Sequence, residues 1–484
     1  MKKLSNDLIE RTSRPIKVLQ FGEGNFLRAF VDWFISELNK KSDFNGGVCV
    51  VQPIENGRIE ALKEQDGLYT LILEGIEAGK LIREKNIIDV IEQTINPYEA
   101  FDTYMEMAKC ETLEFVISNT TEAGIVYENV ILSEGVCPNN FPAKLLLLLK
   151  KRYDYFEGAT DKGLNILPCE LIDYNGKKLQ EVMNRIALDW NMTQDFIEWL
   201  NKANTFCSTL VDRIVPGYPV DSIKEIQADC GYEDSNIVKG EIFHLWVIED
   251  KGTVRHRLPL DKLGFNVKFV EDLTPFKQQK VRILNGAHTS MVPVSFLFGI
   301  DTVGESINDA LVGKFVEQVI FNEIIPASTH ILDEETLKSF ANSVLERFAN
   351  PTIRHELISI SLNSTTKFKT RILPSLVDYV EKFESYPKGL SLSLAATLVF
   401  FRGQRGNEVY KTVDNQEFLD LYDALWSKYD GTKESCREIV DAYLGMTDHW
   451  EVDFEVIDGF NAYLADMVYT IVESSMEEAI KKVL

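Results

Sequence analysis

Histidine, cysteine and basic residues are all in short supply in this sequence, and each shortage excludes something. Six histidines are scattered over 484 residues. None forms an H-x-x-x-H pair, so spacing offers no zinc site and the reading is metal-independent. The seven cysteines (Cys49, Cys110, Cys137, Cys169, Cys207, Cys230 and Cys436) are odd in number and contain no C-x-x-C. That excludes a disulfide framework or zinc ribbon and predicts reduced, mostly buried thiols. Long apolar runs are missing too. The longest, 145–149 and 291–298, fall far short of a bilayer span, and no apolar core follows Lys2 and Lys3. These features predict a cytoplasmic protein without a membrane segment. Lysine and arginine number 51 against 75 acidic residues, a formal charge of −24. Such a field repels phosphate backbones and disfavours nucleic acid as a partner. An anionic substrate would need a locally basic pocket. No feature of the sequence specifies an oligomeric state.

What is present is an ordinary globular composition on a chain too long for one core. Residues 16–21 read as a short strand that runs into Gly22-Glu23-Gly24-Asn25. Apolar positions 26, 27, 30, 31, 34, 35 and 38 then recur with helical spacing. Strand-like segments near 48–51, 69–73, 115–117 and 164–167 alternate with helical ones near 98–109, 142–156 and 178–190. That alternation predicts an α/β fold with a Rossmann-type, doubly wound, mostly parallel sheet. Strands are expected again at 241–248 and 267–270. From Pro275 onward helical periodicity dominates. The predicted organisation is a nucleotide-binding domain over 1–274 and a mainly α-helical substrate and catalytic domain over 275–484.

A strand, a Gly-x-Gly turn and a helix suit a dinucleotide. The first glycine permits the tight turn and the second lets backbone approach a pyrophosphate. Phe21, Gly22, Glu23, Gly24, Asn25 and Phe26 are therefore candidate cofactor residues. A lone G-x-G is also an ordinary turn, and the third glycine of the motif is replaced by Leu27. The acidic residue expected after the second strand is displaced: the strand ends at Gln52 and Pro53, leaving Glu55 or Asn56 for the ribose, with Arg58 close by. NAD is favoured over NADP. Residues 116–124 end another strand in small and polar residues, which brings Thr121 and Glu122 into the candidate set; an ordinary Ser/Thr/Gly loop is the competing reading.

The segment from Lys280 to His288 places a lysine, an amide and an imidazole in an apolar, helical stretch. At ~100° per residue, His288 falls ~80° and Asn285 ~140° round from Lys280. Oxidising an alcohol needs a base for the hydroxyl proton as hydride leaves, and a suitably buried lysine serves. An amide stabilises the developing alkoxide and an imidazole orients the oxygen. A buried Asn/His pair in a kinked helix, with the lysine solvated, would give the same spacing, and Gly286 weakens a regular helix there.

Lys280-x-Arg282-x-Leu284-Asn285-Gly286-x-His288 resembles the signature of the long-chain mannitol dehydrogenase family. Gly22-x-Gly24-Asn25-Phe26-x-Arg28-Ala29, Thr121-Glu122-x-Gly124 and Val211-Asp212-Arg213-Ile214 match in the same order. The resemblance covers roughly residues 14 to 450. Cys169-Glu170-Leu171-Ile172, Asn204-Thr205-Phe206-Cys207 and the run Gly286-Ala287-His288-Thr289 are most similar to members acting on keto-uronates. The resemblance implies NAD-linked hydride transfer to a small-molecule keto-uronate, Lys280 as general acid/base, and Asn285 and His288 on the reacting oxygen. It places Asp212 near cofactor and substrate. Of the family's Cys-Asp-Asn-x-x-x-Asn-Gly segment, the first asparagine is Leu171 here and the second is kept as Asn175, carried over as a fourth group. The substrate carboxylate needs a cation, for which Arg282, Arg402, Arg405 and Lys411 are the candidates. A solvated basic loop is the plain alternative for the last three.

Overall fold

The computed structural model describes residues 1–133 and 135–484, with the side chain of Glu122 outside the description. The chain divides into two compact units, Met1–Leu273 and Thr274–Leu484.

The first unit is built on β1 (Ile16–Phe21), β2 (Gly47–Val51), β3 (Tyr69–Glu77), β4 (Lys80–Ile88), β5 (Ile91–Ile95), β6 (Phe115–Ser118), β7 (Asn165–Pro168) and β8 (Thr205–Phe206). Six of these form one sheet in the order β5-β2-β1-β6-β7-β8, every pair parallel. The chain leaves β1 towards β2 and later returns on its other side as β6, so the strand order reverses at β1. That reversal is the doubly wound switch point.

Both sheet faces are covered. Because successive side chains alternate, Val18 joins one core with Phe30 and Phe34, while Leu19 and Phe21 join another with Tyr104, Leu145 and Leu149. Burial on both faces is why these strands read as near-continuous apolar runs. The stretch after the glycine turn is two helices, α1 (Asn25–Ala29) and α2 (Val31–Lys41), broken at Phe30.

The segment expected as one more parallel strand near 69–73 is instead half of an antiparallel hairpin, β3 with β4. β3 also pairs in parallel with β9 (Val238–Glu241), and the stretch predicted as one strand over 241–248 is divided between β9 and β10 (Leu245–Glu249), which lie in different small sheets.

The second unit is helical, apart from the two-residue strands Gln404–Arg405 and Glu408–Val409. It opens with α3 (Thr274–Gln279), a π-helical segment Lys280–Asn285 and α4 (Gly286–Phe298). Its core is dominated by α4, α5 (Lys388–Phe400) and α6 (Phe460–Glu473), whose α5 residues are buried without exception from Gly389 to Phe400. A helix buried all round carries no amphipathic pattern, which is the signature of a central helix. Among the described residues no helix is long and apolar enough to cross a membrane.

Candidate active site

The glycine turn lies at the C-terminal end of β1, at the switch point. Gly22 has φ +126°, and a Cβ there would meet the Asn119 carbonyl oxygen at 3.0 Å and a Leu27 methyl at 3.1 Å. Both conformation and space therefore demand glycine. A Cβ at Gly24 would meet nothing within 4 Å. Gly24 is exposed and leads directly into α1. A tight first glycine and an open second one fit the approach of a pyrophosphate.

The loop after β6 reaches the same place. The Asn119 amide donates to the Phe21 carbonyl at 3.1 Å. Thr121 has φ +67°, a costly conformation for a β-branched residue that its surroundings must impose. Part of that imposition comes from Glu170, which the sequence singled out only as part of a motif. Its buried carboxylate accepts from the Ser118 hydroxyl (3.1 Å), the Thr120 amide (2.9 Å) and the Thr120 hydroxyl (2.9 Å). Burial pushes this carboxyl above its ordinary value, against those donors. The turn at Gly22 and the loop at Thr121, separate candidates in sequence, are thus brought together. The side chain of Glu122 lies outside the described part.

At the end of β2 the Gln52 amide donates to the carbonyls of Ile54 (2.8 Å) and Glu55 (3.0 Å), folding the loop back on itself. Glu23 accepts from the Arg58 backbone amide at 2.9 Å, which ties this loop to the glycine turn. Glu55, Asn56 and Arg58 are exposed.

Beneath the turn lies a buried polar network. Arg28 donates to the carbonyls of Glu23 (3.0 Å) and Asn236 (2.6 Å) and to the Asn25 side chain (2.8 Å). Tyr69 donates to the Arg28 carbonyl (2.8 Å) and to Asp32 (3.0 Å). Burial pushes the Asp32 carboxyl up to about 7, partly opposed by Tyr69 and Arg28. The linkage sign follows. Between pH ~4 and ~7 the unfolded chain has released this proton and the folded chain has not, so Asp32 removes stability as pH rises, by at most about 4 kcal/mol. Asp32→Asn cannot ionise and is expected to lose less thermal stability than the parent between pH 5 and pH 7.5. Melting temperatures of both proteins at the two pH values check this; parallel shifts refute it.

Asn175, carried over as a fourth group on the reacting oxygen, has its side chain engaged by backbone. It is fully buried, and its amide donates to the carbonyls of Pro168 (2.9 Å), Glu170 (3.0 Å) and Thr209 (3.1 Å). Its oxygen accepts from the amides of Thr209 (2.8 Å) and Gly176 (2.9 Å). Every donor and acceptor is already used. Gly176 serves the same packing: a Cβ there would meet the Cys207 carbonyl carbon at 2.4 Å. The pair Asn175-Gly176 clamps the start of its helix against a neighbouring strand. Leu171, at the family's other asparagine position, is exposed. Asp212 ends the strand Thr209–Asp212 and is buried.

In the helical unit, Lys280 opens and Asn285 closes the π-turn. In an α-helix five residues overshoot a full turn by ~140°. In a π-turn, with i→i+5 hydrogen bonds, the overshoot is smaller and Lys280 and Asn285 come nearer to the same face. His288 follows on the next α-helical turn, three residues after Asn285. The local winding thus departs from a regular helix between Lys280 and Asn285. Single π-turns recur at functional sites. The His288 ring stacks on Phe348 (4.1 Å between centroids) and meets His355 edge-on (5.2 Å). The Thr289 hydroxyl donates to the Asn285 carbonyl at 2.8 Å. Gly286, which argued against a helix in sequence, has a packing reason: a Cβ would lie 3.3 Å from the Arg371 carbonyl oxygen. All three side chains are half-buried.

Two of the cations proposed for a carboxylate are already neutralised. Arg282 pairs with Asp378, which also lies 3.6 Å from His330. Arg405 is held by Asp301 and Glu408, each at 2.7 Å, and lies over the Phe296 ring. Arg402 is exposed over Trp426 and Tyr429, and Lys411 is exposed. Among the described residues no cluster of His, Cys, Asp and Glu has the geometry of a metal site.

A doubly wound sheet with its glycine turn at the switch point, together with a helical unit carrying a Lys/Asn π-turn and a histidine on the turn after it, defines an oxidoreductase of the two-domain Rossmann type. The sequence matches the family described as mannitol dehydrogenase, its Rossmann domain over residues 16–262 and its C-terminal domain over 272–472. The chain belongs to the mannitol dehydrogenase family. It is 47% identical over 473 residues to a protein named altronate oxidoreductase from Pectobacterium atrosepticum, covering 96% of each chain. Proteins of the same name from Klebsiella pneumoniae and Escherichia coli are 45% and 44% identical over 482 residues, covering 99% of each. Two solved structures share the fold at 20% identity. A D-sorbitol dehydrogenase in substrate-free form has a TM-score of 0.81, covering 99% of this chain and 100% of that one. The mannitol 2-dehydrogenase of Pseudomonas fluorescens, in ternary complex with NAD and D-mannitol, has a TM-score of 0.67, covering 97% and 94%.

Proposed function

We propose that this protein reduces D-tagaturonate to D-altronate with NADH, reversibly, in hexuronate catabolism. The observation that carries the reading is Lys280 and Asn285 at the two ends of one π-turn with His288 on the helical turn that follows, in a chain similar along almost its whole length to altronate oxidoreductases. The Rossmann unit fits a dinucleotide through Gly22, Gly24 and the Asn119–Thr121 backbone. The exposed Glu55, with no basic side chain immediately at the β2 end, favours NAD over its phosphorylated form. When bound, NADH supplies the hydride for the ketone carbon. Lys280 gives the proton that converts the resulting alkoxide to the alcohol and takes it back in the oxidation direction. Asn285 donates a hydrogen bond to the oxygen as negative charge grows on it. His288, clamped against Phe348, orients the same oxygen or its neighbour.

The test is consumption of NADH with D-tagaturonate, D-fructuronate and D-fructose, then of NADPH with the best of them. Tagaturonate is expected to be reduced at least ~100-fold more efficiently than the other two, because a site built for one set of polar groups leaves them unpaired with another. Preference for fructuronate or fructose would reassign the substrate within the family. NADH binding without turnover on any of them would overturn the enzymatic reading.

A further inference from the structure

A keto-uronate differs from a neutral ketohexose in its carboxylate, and the cations that sequence offered for it do not present a free guanidinium beside the π-turn. A different residue does. Arg371 closes the helix Ser364–Arg371, whose last carbonyl packs on Gly286. Its guanidinium is half-buried and reaches the Thr289 hydroxyl at 3.5 Å. Among the described residues it forms no ion pair, in contrast to Arg282 and Arg405. One turn earlier Lys367 is also half-buried, its ammonium on the Ile360 carbonyl at 2.8 Å. The carboxylate that bears on Lys367 is Asp414, itself occupied by the amide and hydroxyl of Thr365. Burial holds both cations below their ordinary values, and the charge of Arg371 lowers Lys367 further.

Two partly buried cations with so little counter-charge are costly in isolation and are relieved by a bound anion. In a chain of formal charge −24, such a pair beside the reacting groups is a locally basic spot of the kind an acidic substrate requires. The spacing also fits. Asn285 and Thr289 are four residues apart, about 6 Å along a helix axis. In tagaturonate the carboxylate carbon stands four bonds from the ketone carbon, about 5 Å when extended. With the ketone oxygen held at Asn285, the carboxylate therefore reaches as far as Thr289, on whose hydroxyl Arg371 lies.

We propose that Arg371, supported by Lys367, binds the substrate carboxylate and makes this site selective for keto-uronates. The proposal rests on the functional reading above and names the residue that sets its substrate class. Arg371→Met is expected to lower kcat/KM for D-tagaturonate by about 100-fold, mostly through KM, with NADH affinity and melting temperature unchanged. Arg371→Lys keeps the charge but loses the planar fork and is expected to fall between. Lys367→Met is expected to raise KM by a smaller factor, and it serves as the second test if Arg371→Met folds poorly. An unchanged KM in Arg371→Met overturns the proposal. So does a loss confined to kcat, or one that tracks a fall in melting temperature equally in the Met and Lys variants. Failure of the parent enzyme on every keto-uronate would instead condemn the functional reading itself, which keeps the two failures apart.

Discussion

Lys280→Met is expected to lower kcat for keto-uronate reduction by about 10²–10⁴-fold while leaving NADH affinity intact. The two readouts separate because the residues involved belong to different units. The dinucleotide-fitting residues, from Phe21 to Thr121, lie in Met1–Leu273, and Lys280 lies in Thr274–Leu484. Lys280 is half-buried at the first position of the π-turn, and methionine replaces its apolar stem without the ammonium. On the proposed mechanism, what disappears is the proton source for the alkoxide. Small primary amines restore general-acid function where a truncated lysine leaves room, so Lys280→Ala with added methylamine is expected to regain part of the rate and Lys280→Met is not. Asn285→Ala keeps the proton source and loses one hydrogen bond to the developing charge, a loss of ~10²–10³-fold by the measure of other oxyanion donors. Single-turnover oxidation of bound NADH reads these effects free of product release. Full activity in Lys280→Met would remove the assigned mechanism.

Much of this arrangement was legible in sequence, and what was missed has physical causes. The parallel sheet showed itself because strands buried on both faces must be apolar throughout, and the helical unit because its amphipathic helices carry a 3.6-residue period. The hairpin strand Lys80–Ile88 was invisible: it is an edge strand, and of its residues only the last, Ile88, is buried, which leaves no alternation to read. The glycine turn was legible because Gly22 has a conformation few other residues tolerate. The π-turn was not, since a change from i→i+4 to i→i+5 leaves no mark in residue type. Reading 280–288 at a constant angle per residue therefore placed Asn285 too far round from Lys280.

Cations were the hardest. Asp378 lies 96 residues beyond Arg282 in the chain, and no local pattern announces that they pair. Arg371, in Lys367-Phe-Lys-Thr-Arg371, reads as a solvated basic helix face, and only the packing of that helix against Gly286 turns it inward. Glu170 illustrates the converse. A carboxylate in a Cys-Glu-Leu-Ile motif has the look of chemistry, yet its oxygens are spent on Ser118 and Thr120 to shape a loop.

Asn175→Ala is expected to destabilise the first unit by about 3–5 kcal/mol and to leave kcat per folded molecule nearly unchanged. The side chain holds five backbone groups from three stretches of chain: the end of β7, the start of its own helix, and Thr209. Pro168 keeps a second donor in the Thr209 hydroxyl, so its carbonyl is not orphaned. The Thr209 and Gly176 amides lose the acceptor they share, in a place closed to water. Leaving buried amides unpaired costs far more than the net worth of a made hydrogen bond, which sets the size of the effect. Asn175→Asp is the sharper test. Aspartate is isosteric and preserves both acceptor contacts, but it replaces a donor by an oxygen facing three carbonyls. The clamp predicts that Asp is no better than Ala, with both variants melting well below the parent and keeping their kcat when assayed cold. A residue that donated to the reacting oxygen would behave oppositely, losing rate with little change in melting temperature, and that outcome would return Asn175 to the active site.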